Sequence, residues 1–372
     1  MEECMLDKIL DEISEKEIVQ EITQLLETSD LLLDGFGHDS AFIDITIGED
    51  DILLMNTDRS GINIAYTLGL TDGNAECVGD FGVSHAVSDI VASGGKPLAI
   101  TIALLLPGSL KFNFVKQVMI GAQKAAKKYG AFLAAGDTKK NSTFAMVVTV
   151  AGKAQKTERL TRSKAKKGDL LIVTGHLGTM LSGRFAFKKN ICISKETEKI
   201  LKHALIYQNP PYELGLKLAR AKVANACTDI SDGLASSIYN LCNASGVGAI
   251  IDETKIPLHS ASLDIANKLN IRPMQLTLTG GDWQYLYSIP KENIDIAHQI
   301  AQECNYNITI IGQIIEERHV IAKTLEQDYK ILKRIENDRF SNPSGYSFFD
   351  TLGSKIELFG ENVELYCLKD HE

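Results

Sequence analysis

The chain has no cysteine spacing that would suit a disulfide framework or a zinc site. Its seven cysteines are far apart and include no C-x-x-C pair, which is typical of a reduced chain whose thiols behave as small buried side chains. The eight histidines also occur singly, and no H-E-x-x-H spacing is present. The sequence therefore argues against a disulfide-stapled protein and against a histidine- or cysteine-bound zinc centre.

Long apolar runs and an excess of basic charge are missing as well. The longest apolar run, 98–107, has the length of a buried strand, whereas a membrane-spanning helix needs roughly 20 such residues. The acidic, charge-interleaved segment 1–26 differs from a signal peptide. With 39 basic and 48 acidic residues the net charge is −9, which disfavours nucleic acid as a partner. We expect a cytoplasmic protein with no membrane or nucleic-acid partner.

The length of 372 residues predicts two domains. Both halves alternate strand-like runs with helical periodicity, and the basic connector 153–168 separates them. We predict a first domain over 1–155, a second over 156–320, and a less regular C-terminal appendage over 321–372.

Aspartates recur where an apolar strand ends or a helix begins. Strand ends gather at one edge of a sheet, where such proteins usually bind ligands. Several carboxylates converging there would repel one another unless a cation neutralises them, and hard oxygen ligands suit Mg²⁺ held beside phosphates. The aspartates in this pattern are Asp39, Asp58, Asp89, Asp137, Asp229 and Asp232.

Simpler interpretations remain open for some of these aspartates. Asp232 could be a helix N-cap, and Asp39 and Asp137 could be turn residues beside glycine. Asp58 and Asp89 are harder to explain in this way, because each interrupts an apolar or small-residue segment.

Two further features could bind phosphate. The segment 79–82 (GDFG) predicts a turn before a helix over 83–93, whose free N–H groups would attract an anion. Arg162 is a candidate guanidinium for a phosphate, although in isolation a solvated linker charge is the simpler interpretation. The sequence contains neither a Walker loop nor a dinucleotide fingerprint.

Aromatic side chains alternate along a predicted strand that follows Gly280 and Gly281. Trp283, Tyr285 and Tyr287 would point to one face of it. Core packing is the default for such a row, and a stacking wall for an aromatic ligand is the alternative.

Over about residues 30–315 the chain resembles the PurM-like ATP-binding superfamily of aminoimidazole ribonucleotide synthetase, and within it the thiamine-monophosphate kinases. The run D-I-S-D-G-L is the most specific feature, and the others support it by order and spacing. The segments that carry the resemblance are 37–41 (GHDSA), 56–58 (NTD), 87–97 (VSDIVASGGKP), 135–138 (AGDT), 160–162 (LTR), 229–234 (DISDGL) and 245–252 (SGVGAIID).

The resemblance implies an α+β, two-domain PurM-like fold. Its N-terminal domain has a mixed or antiparallel sheet with helices on one face, and its C-terminal domain is an α/β sandwich. The resemblance also implies ATP and Mg²⁺ as cofactors, and a homodimer in which the N-terminal sheets pack together. The implied Mg²⁺ ligands are Asp39, Thr57, Asp58, Asp89, Asp137, Asp229 and Asp232. The implied ATP contacts are Gly136, Asp137, Arg162 and Ser231, and the implied catalytic residues are Asp137, Arg162 and Asp232.

The chain departs from the kinase pattern on the side of the phosphate acceptor. A histidine of the pattern is replaced by Ala65, the first Asp of G-D-D is His38, and G-G-E-D-Y-E-L becomes 280–286 (GGDWQYL). We expect Asp282 and Trp283 to be the substrate contacts in this rewritten segment.

The leading hypothesis is an ATP- and Mg²⁺-dependent phosphotransferase acting on a small molecule, with thiamine monophosphate converted to thiamine diphosphate as the default reaction. One alternative is ATP-dependent activation of a carbonyl or amide oxygen, as in the cyclase and hydrogenase-maturation branches. Another is a nucleotide-binding homologue without catalysis. A phosphorylated product separates the first hypothesis from the second, in which phosphate is released free.

Overall fold

A computed structural model of the chain describes residues 6–33, 36, 41–45, 48–335 and 356–363. The chain divides into two compact units, Met1–Arg159 with Leu205–Gln208, and Leu160–Ala204 with Asn209–Glu372. The domain limits 1–155 and 156–320 stay predictions. Within the described ranges, no helix is long and apolar enough to cross a membrane.

The first unit is built on a four-stranded mixed sheet in the order β3-β6-β4-β5. Strands β4 and β5 are parallel, and the other pairs are antiparallel. A separate two-stranded ladder pairs β1 with β2. The strands are β1 (Leu32–Leu33), β2 (Phe42–Ile43), β3 (Asp51–Ser60), β4 (Lys96–Leu106), β5 (Phe132–Lys140) and β6 (Ala145–Gln155); the helices are α1 (Glu15–Leu25), α2 (Ile64–Thr67), α3 (Glu76–Ala92) and α4 (Phe112–Lys128).

Strand β3 shows how the sequence positions polar groups against a helix. Its side chains alternate in exposure, as the period of two along a strand requires. Asn56 and Asp58 are partly buried on the face where α3 packs, whereas Met55 and Thr57 are exposed on the other face. The face toward the helix therefore presents Asn56 and Asp58, and the other face exposes a mixed row that includes Leu53 and Met55.

The predicted turn at 79–82 is wrong, because helix α3 already begins at Glu76. The physical reason is helix packing: a Cβ atom at Gly79 would lie 1.9 Å from the carbonyl oxygen of Val118 on α4. Glycine is needed here so that two helices can approach closely. The N–H groups of this segment lie beyond the first turn, where intrahelical bonds use them, so it is not an anion-binding turn.

Asp80, in the same segment, predicts a pH dependence of stability. Burial raises the pKa of Asp80 to about 6, and nearby Lys128 only partly offsets this effect. Because the folded state binds this proton more tightly than the unfolded state, the contribution to stability is present at low pH and is lost as the pH rises through about 6. We expect Asp80→Asn, relative to the unsubstituted chain, to gain about 1.4 kcal/mol of unfolding free energy between pH ~5 and pH ~8.

Urea unfolding at these two pH values measures this gain. Asp72→Asn is the matched control, because Asp72 is an exposed turn residue of the same unit whose left-handed φ of 51° asparagine also adopts. Equal pH dependence of the two variants would contradict the prediction.

The second unit contains an eight-stranded sheet in the order β14-β13-β12-β9-β11-β7-β10-β8. Only the β12–β9 pair is parallel among these described strands. The strands are β7 (Leu170–Thr174), β8 (Ala226–Asp229), β9 (Gly248–Asp252), β10 (Tyr285–Ile289), β11 (Ile308–Ile315), β12 (Val320–Lys323), β13 (Tyr329–Leu332) and β14 (Phe359–Asn362). The helices are α5 (Thr179–Lys188), α6 (Lys195–Ile206), α7 (Tyr212–Ala221), α8 (Leu234–Ser245), α9 (Ser260–Leu269) and α10 (Ile294–Glu303).

Residues beyond 320 extend this sheet, although the sequence suggested a separate appendage. Strands β12, β13 and β14 continue it past β9. Arg272 fixes the extension: its guanidinium donates to Glu253 at 2.6 Å and to Glu326 at 2.7 Å and lies 4.9 Å from the ring centre of Phe359 on β14. The described part of 321–372 is therefore continuous with the second unit.

Candidate active site

Asn56 holds two of the predicted metal-binding carboxylates together in the first unit. Its amide nitrogen donates to Asp58 Oδ2 at 2.6 Å and to Asp89 Oδ2 at 2.8 Å. Asp58 comes from strand β3 and Asp89 from the helix α3 that covers it, so the packing of α3 on β3 creates the pair. A neutral amide donor shared by two carboxylates lowers the electrostatic cost of bringing them together.

Asp58 and the adjacent Thr57 point to opposite faces of β3 and have different neighbours. His85 Nε2, one helical turn before Asp89, lies 3.8 Å from Asp58 Oδ1. Thr57, predicted as a metal ligand, points to the opposite face, where its hydroxyl is 2.9 Å from the hydroxyl of Thr149 on β6. The Thr57 side chain therefore does not join the carboxylate pair.

Asp137 lies on the other edge strand of the same sheet. The pairing registers run from Asp58 through Val148 and Ile102 to Gly136. Asp137 is thus three strand spacings from Asp58, on the order of 14 Å along the sheet. The sheet places these carboxylates in one unit without making them ligands of a single ion.

An apolar cavity of about 220 Å³ lies beside Gly136 and Asp137. Helix α1 contributes Val19 and Ile22 to its wall, and strand β4 contributes Ile102. Most of the lining is apolar, with Thr23, Asp137 and Thr138 as polar members, so the cavity suits a flat apolar group that carries polar atoms at its edge.

Oxygen donors, rather than nitrogen or sulfur donors, dominate the predicted metal site. Within residues 6–33, 41–45, 48–335 and 356–363, no group of three or more His, Cys, Asp and Glu side chains is placed to hold a metal ion. Asp39 and His38 lie outside the described residues. The Asp58–Asp89 pair nevertheless fits a hard divalent cation by its chemistry, because two carboxylates share one small space.

Arg162, in the second unit, is anchored rather than a solvated linker charge. Its Nε donates to the hydroxyl of Thr228 at 2.9 Å, and its carbonyl accepts a 2.7 Å bond from the Ser245 hydroxyl. A terminal nitrogen lies 3.8 Å from Asp229 Oδ1, yet half of the side chain, 51%, remains exposed. The guanidinium is therefore held beside the end of β8 while it stays accessible to an anion.

Asp229, Ser231 and Asp232 follow one another at that strand end. Asp229 is the last residue of β8 and its side chain is buried, whereas Asp232 is exposed. The interpretation of Asp232 as a helix cap is wrong, because α8 starts at Leu234 with Gly233 as its N-cap and without a side-chain capping bond. Asp232 thus presents an unshielded carboxylate next to Ser231.

The prediction that Asp282 and Trp283 contact the substrate is not supported by their geometry. The Asp282 carboxylate accepts bonds from the backbone N–H groups of Gly178 at 2.7 Å and Met180 at 2.9 Å, and from the Thr179 hydroxyl. Burial raises the pKa of Asp282, against the opposing effect of these bonds. Asp282 therefore stabilises the start of α5.

The aromatic row that includes Trp283 belongs to the core. Trp283 is only 4% exposed, and Tyr285 and Tyr287 are fully buried. The two tyrosine rings meet edge to face, with centroids 6.2 Å apart. Core packing, the default interpretation, describes these side chains.

Asn56, Thr228 and Ser245 were missed by the sequence reasoning. Each lies within or directly beside a segment that carries the resemblance, and that position was the only signal available. Their roles depend on partners 33 to 83 positions away along the chain, which a single sequence does not reveal.

Comparison with known proteins gives matches over both units. Residues 37–154 match the N-terminal domain of the AIR synthase related proteins, and residues 166–324 match their C-terminal domain. A thiamine-monophosphate kinase from Buchnera aphidicola is 31% identical over 319 residues, which cover 85% of this chain and 92% of that protein.

Solved structures agree with these matches. AaThiL complexed with AMPPCP and TMP has a TM-score of 0.65 and 26% identity, covering 85% of this chain and 95% of that one. E. coli HypE, a hydrogenase maturation protein, has a TM-score of 0.72 over 87% of this chain and 98% of that one. Its identity of 17% shows a shared fold alone.

The chain belongs to the AIR synthase related family, as its two matched domains show. Within that family it belongs with the thiamine-monophosphate kinases. The predicted superfamily and the α+β two-domain fold are confirmed, and so is the predicted class of enzyme, an ATP-dependent kinase.

Proposed function

We propose that this chain transfers the γ-phosphoryl group of ATP to thiamine monophosphate and forms thiamine diphosphate. The observation that carries this proposal is the similarity along 92% of a curated thiamine-monophosphate kinase. A solved relative holds TMP together with AMPPCP, a nucleotide whose triphosphate is that of ATP with a methylene bridge, and it supports the same substrate pair.

In the second unit, Arg162 and Ser231 would contact the phosphates of ATP, and Arg162 and Asp232 would act in catalysis. Phosphoryl transfer needs mainly positioning and charge neutralisation, with little covalent chemistry from the protein. An accessible guanidinium beside the strand end at Asp229 is suited to stabilising charge on the transferring group.

In the first unit, Gly136 and Asp137 would bind the nucleotide, with Asp137 also catalytic. Both line the cavity beside α1. The mostly apolar lining of this cavity suits a purine base. A Cβ atom at position 136 would lie 2.6 Å from the Ile102 carbonyl oxygen. Glycine therefore keeps β5 close to β4 at this point.

Mg²⁺ would neutralise the phosphate charges when it is bound. The residues proposed to hold it are Asp39, Thr57, Asp58, Asp89 and Asp137 in the N-terminal part of the chain and Asp229 and Asp232 in the second unit. They would hold more than one ion, because Asp58 and Asp137 are on the order of 14 Å apart along the sheet. The side chain of Thr57 points away from the Asp58–Asp89 pair. Asn56 would keep Asp58 and Asp89 in place by donating to both.

A product assay tests the proposed reaction. The purified chain is incubated with ATP, Mg²⁺ and thiamine monophosphate, and thiamine diphosphate and ADP are quantified by chromatography. Thiamine without a phosphate is the control acceptor, and Arg162→Ala is the control enzyme, in which product should fall about a hundredfold. Free phosphate without a phosphorylated product would overturn the proposal in favour of carbonyl activation, and ATP binding without turnover would favour the non-catalytic homologue.

We also propose a homodimer formed through the outer face of the four-stranded sheet. Leu53 and Met55 on β3 are 47% and 68% exposed there, and apolar side chains on one open sheet face favour association. Met55→Asp is expected to shift the protein from dimer to monomer in light scattering after size exclusion. Leu263→Asp, at a residue 41% exposed on α9 of the second unit, is the matched control, and a dimer in both variants would contradict the proposal.

A cytoplasmic location is proposed on the state of the thiols. Cys77 and Cys242 are free and buried, and burial raises their pKa to about 11 and about 12. Neutral thiols of this kind are compatible with a reducing compartment.

A further inference from the structure

Arg162 is held by a residue that the family resemblance does not assign. Thr228, the residue before Asp229 on β8, accepts the Nε–H bond of Arg162 at 2.9 Å. Thr228 is 3% exposed, and its own hydroxyl proton is directed to the Asp229 carbonyl at 3.3 Å. The hydroxyl therefore has a fixed orientation, with an oxygen lone pair turned to the guanidinium.

The main chain of Arg162 is fixed as well. The Ser245 hydroxyl at the end of α8 donates to the Arg162 carbonyl and accepts the N–H of Ala165 at 3.0 Å. The neighbouring Thr161 carbonyl accepts a 3.1 Å bond from the Cys227 N–H on β8. Since the backbone is held at both sides of Arg162, the remaining freedom lies in the side chain, which Thr228 restricts.

The position of this bond on the guanidinium decides which donors are left. A guanidinium can pair with an anion through Nε and one terminal nitrogen, or end-on through both terminal nitrogens. Because Thr228 uses Nε, the side-on mode is blocked and the end-on mode remains.

We propose that Thr228 is a positioning residue that sets Arg162 for end-on binding of the nucleotide phosphates. This inference rests on the proposed ATP-dependent activity and adds a residue on which the affinity for ATP depends. Thr228 itself does not touch the reacting atoms.

Two substitutions separate the acceptor role of Thr228 from its packing. Thr228→Val keeps nearly the same shape without the hydroxyl, and Thr228→Ser keeps the hydroxyl without the methyl group. We expect Thr228→Val to raise KM for ATP about tenfold with kcat changed less, because one charge-assisted hydrogen bond is lost. Thr228→Ser should restore KM to within about threefold of the unsubstituted value, with thermal unfolding checked for both.

The background Arg162→Lys makes the test specific to the guanidinium. Lysine has no Nε–H, so Thr228→Val should have no further effect on KM in that background. Calorimetric titration with ADP gives a second readout that does not depend on turnover, and it should show the same pattern.

Three results would overturn the inference. They are an unchanged KM in Thr228→Val, an equal loss in Thr228→Ser, and a persisting effect of Thr228→Val in the Arg162→Lys background. An unsubstituted chain that binds neither ATP nor ADP would instead refute the proposed function on which the inference depends, and would refute the inference with it.

Discussion

Replacing Asp232 by asparagine is expected to reduce turnover about a hundredfold without unfolding the protein. Asp232 is exposed and makes no helix cap, so the substitution removes charge while no packing contact is lost. In the proposed function this carboxylate, directly after Ser231 and just past the end of β8, would act on metal-bound phosphate. Steady-state kinetics with ATP and thiamine monophosphate, beside circular dichroism, measures the effect.

Asp89→Asn should give a loss of the same order from the first unit. Its amide could still accept from Asn56, so the local fold should persist while the negative charge is gone. Asp295→Asn is the matched control, because Asp295 is an exposed aspartate on α10. Activity near that of the control in both Asp89→Asn and Asp232→Asn would refute the site assignment.

The sequence allowed the chemistry of the site to be predicted better than its geometry. Aspartates that interrupt apolar segments, such as Asp58 and Asp89, are visible in a single sequence because burying a charge has a cost that needs a reason. The structure brings these two residues together through Asn56, a contact between β3 and α3. Contacts of this kind depend on tertiary packing, which a local pattern does not specify.

The errors in the sequence reasoning have the same origin. Gly79 and Gly82 suggested a turn by composition, but α4 packs so closely on α3 that Gly79 is a packing requirement within a helix. Asp282 follows two glycines, as a ligand-binding residue often does. Its carboxylate nevertheless stabilises the start of α5, about a hundred positions earlier in the chain. In both cases a distant segment decides the role of a residue whose neighbours in sequence favour another.

Gly280→Ala is expected to damage the site, because the added methyl group has no space there. A Cβ atom at Gly280 would lie 1.5 Å from the carbonyl oxygen of Ser231. That neighbour is backbone, so it cannot move aside by changing a rotamer, and the loop at 230–233 must shift as a whole. We expect a loss of about 3 kcal/mol of unfolding free energy and a fall in turnover beyond what reduced folding explains.

Gly360→Ala in the same unit separates this clash from the general effect of adding a methyl group. The nearest atom to a Cβ at Gly360 is the Ile331 Cβ at 3.6 Å, which is ordinary van der Waals contact. Thermal unfolding is measured for both variants, and turnover is measured well below the midpoint of the less stable one. In both measurements Gly360→Ala should be close to the unsubstituted chain. If Gly280→Ala behaved in the same way, close packing at Gly280 would not be what positions Ser231 and Asp232, and the loop would need another support. The expected difference between the two variants has one cause: the backbone of the loop at 230–233 packs directly against Gly280, where one additional carbon has no space.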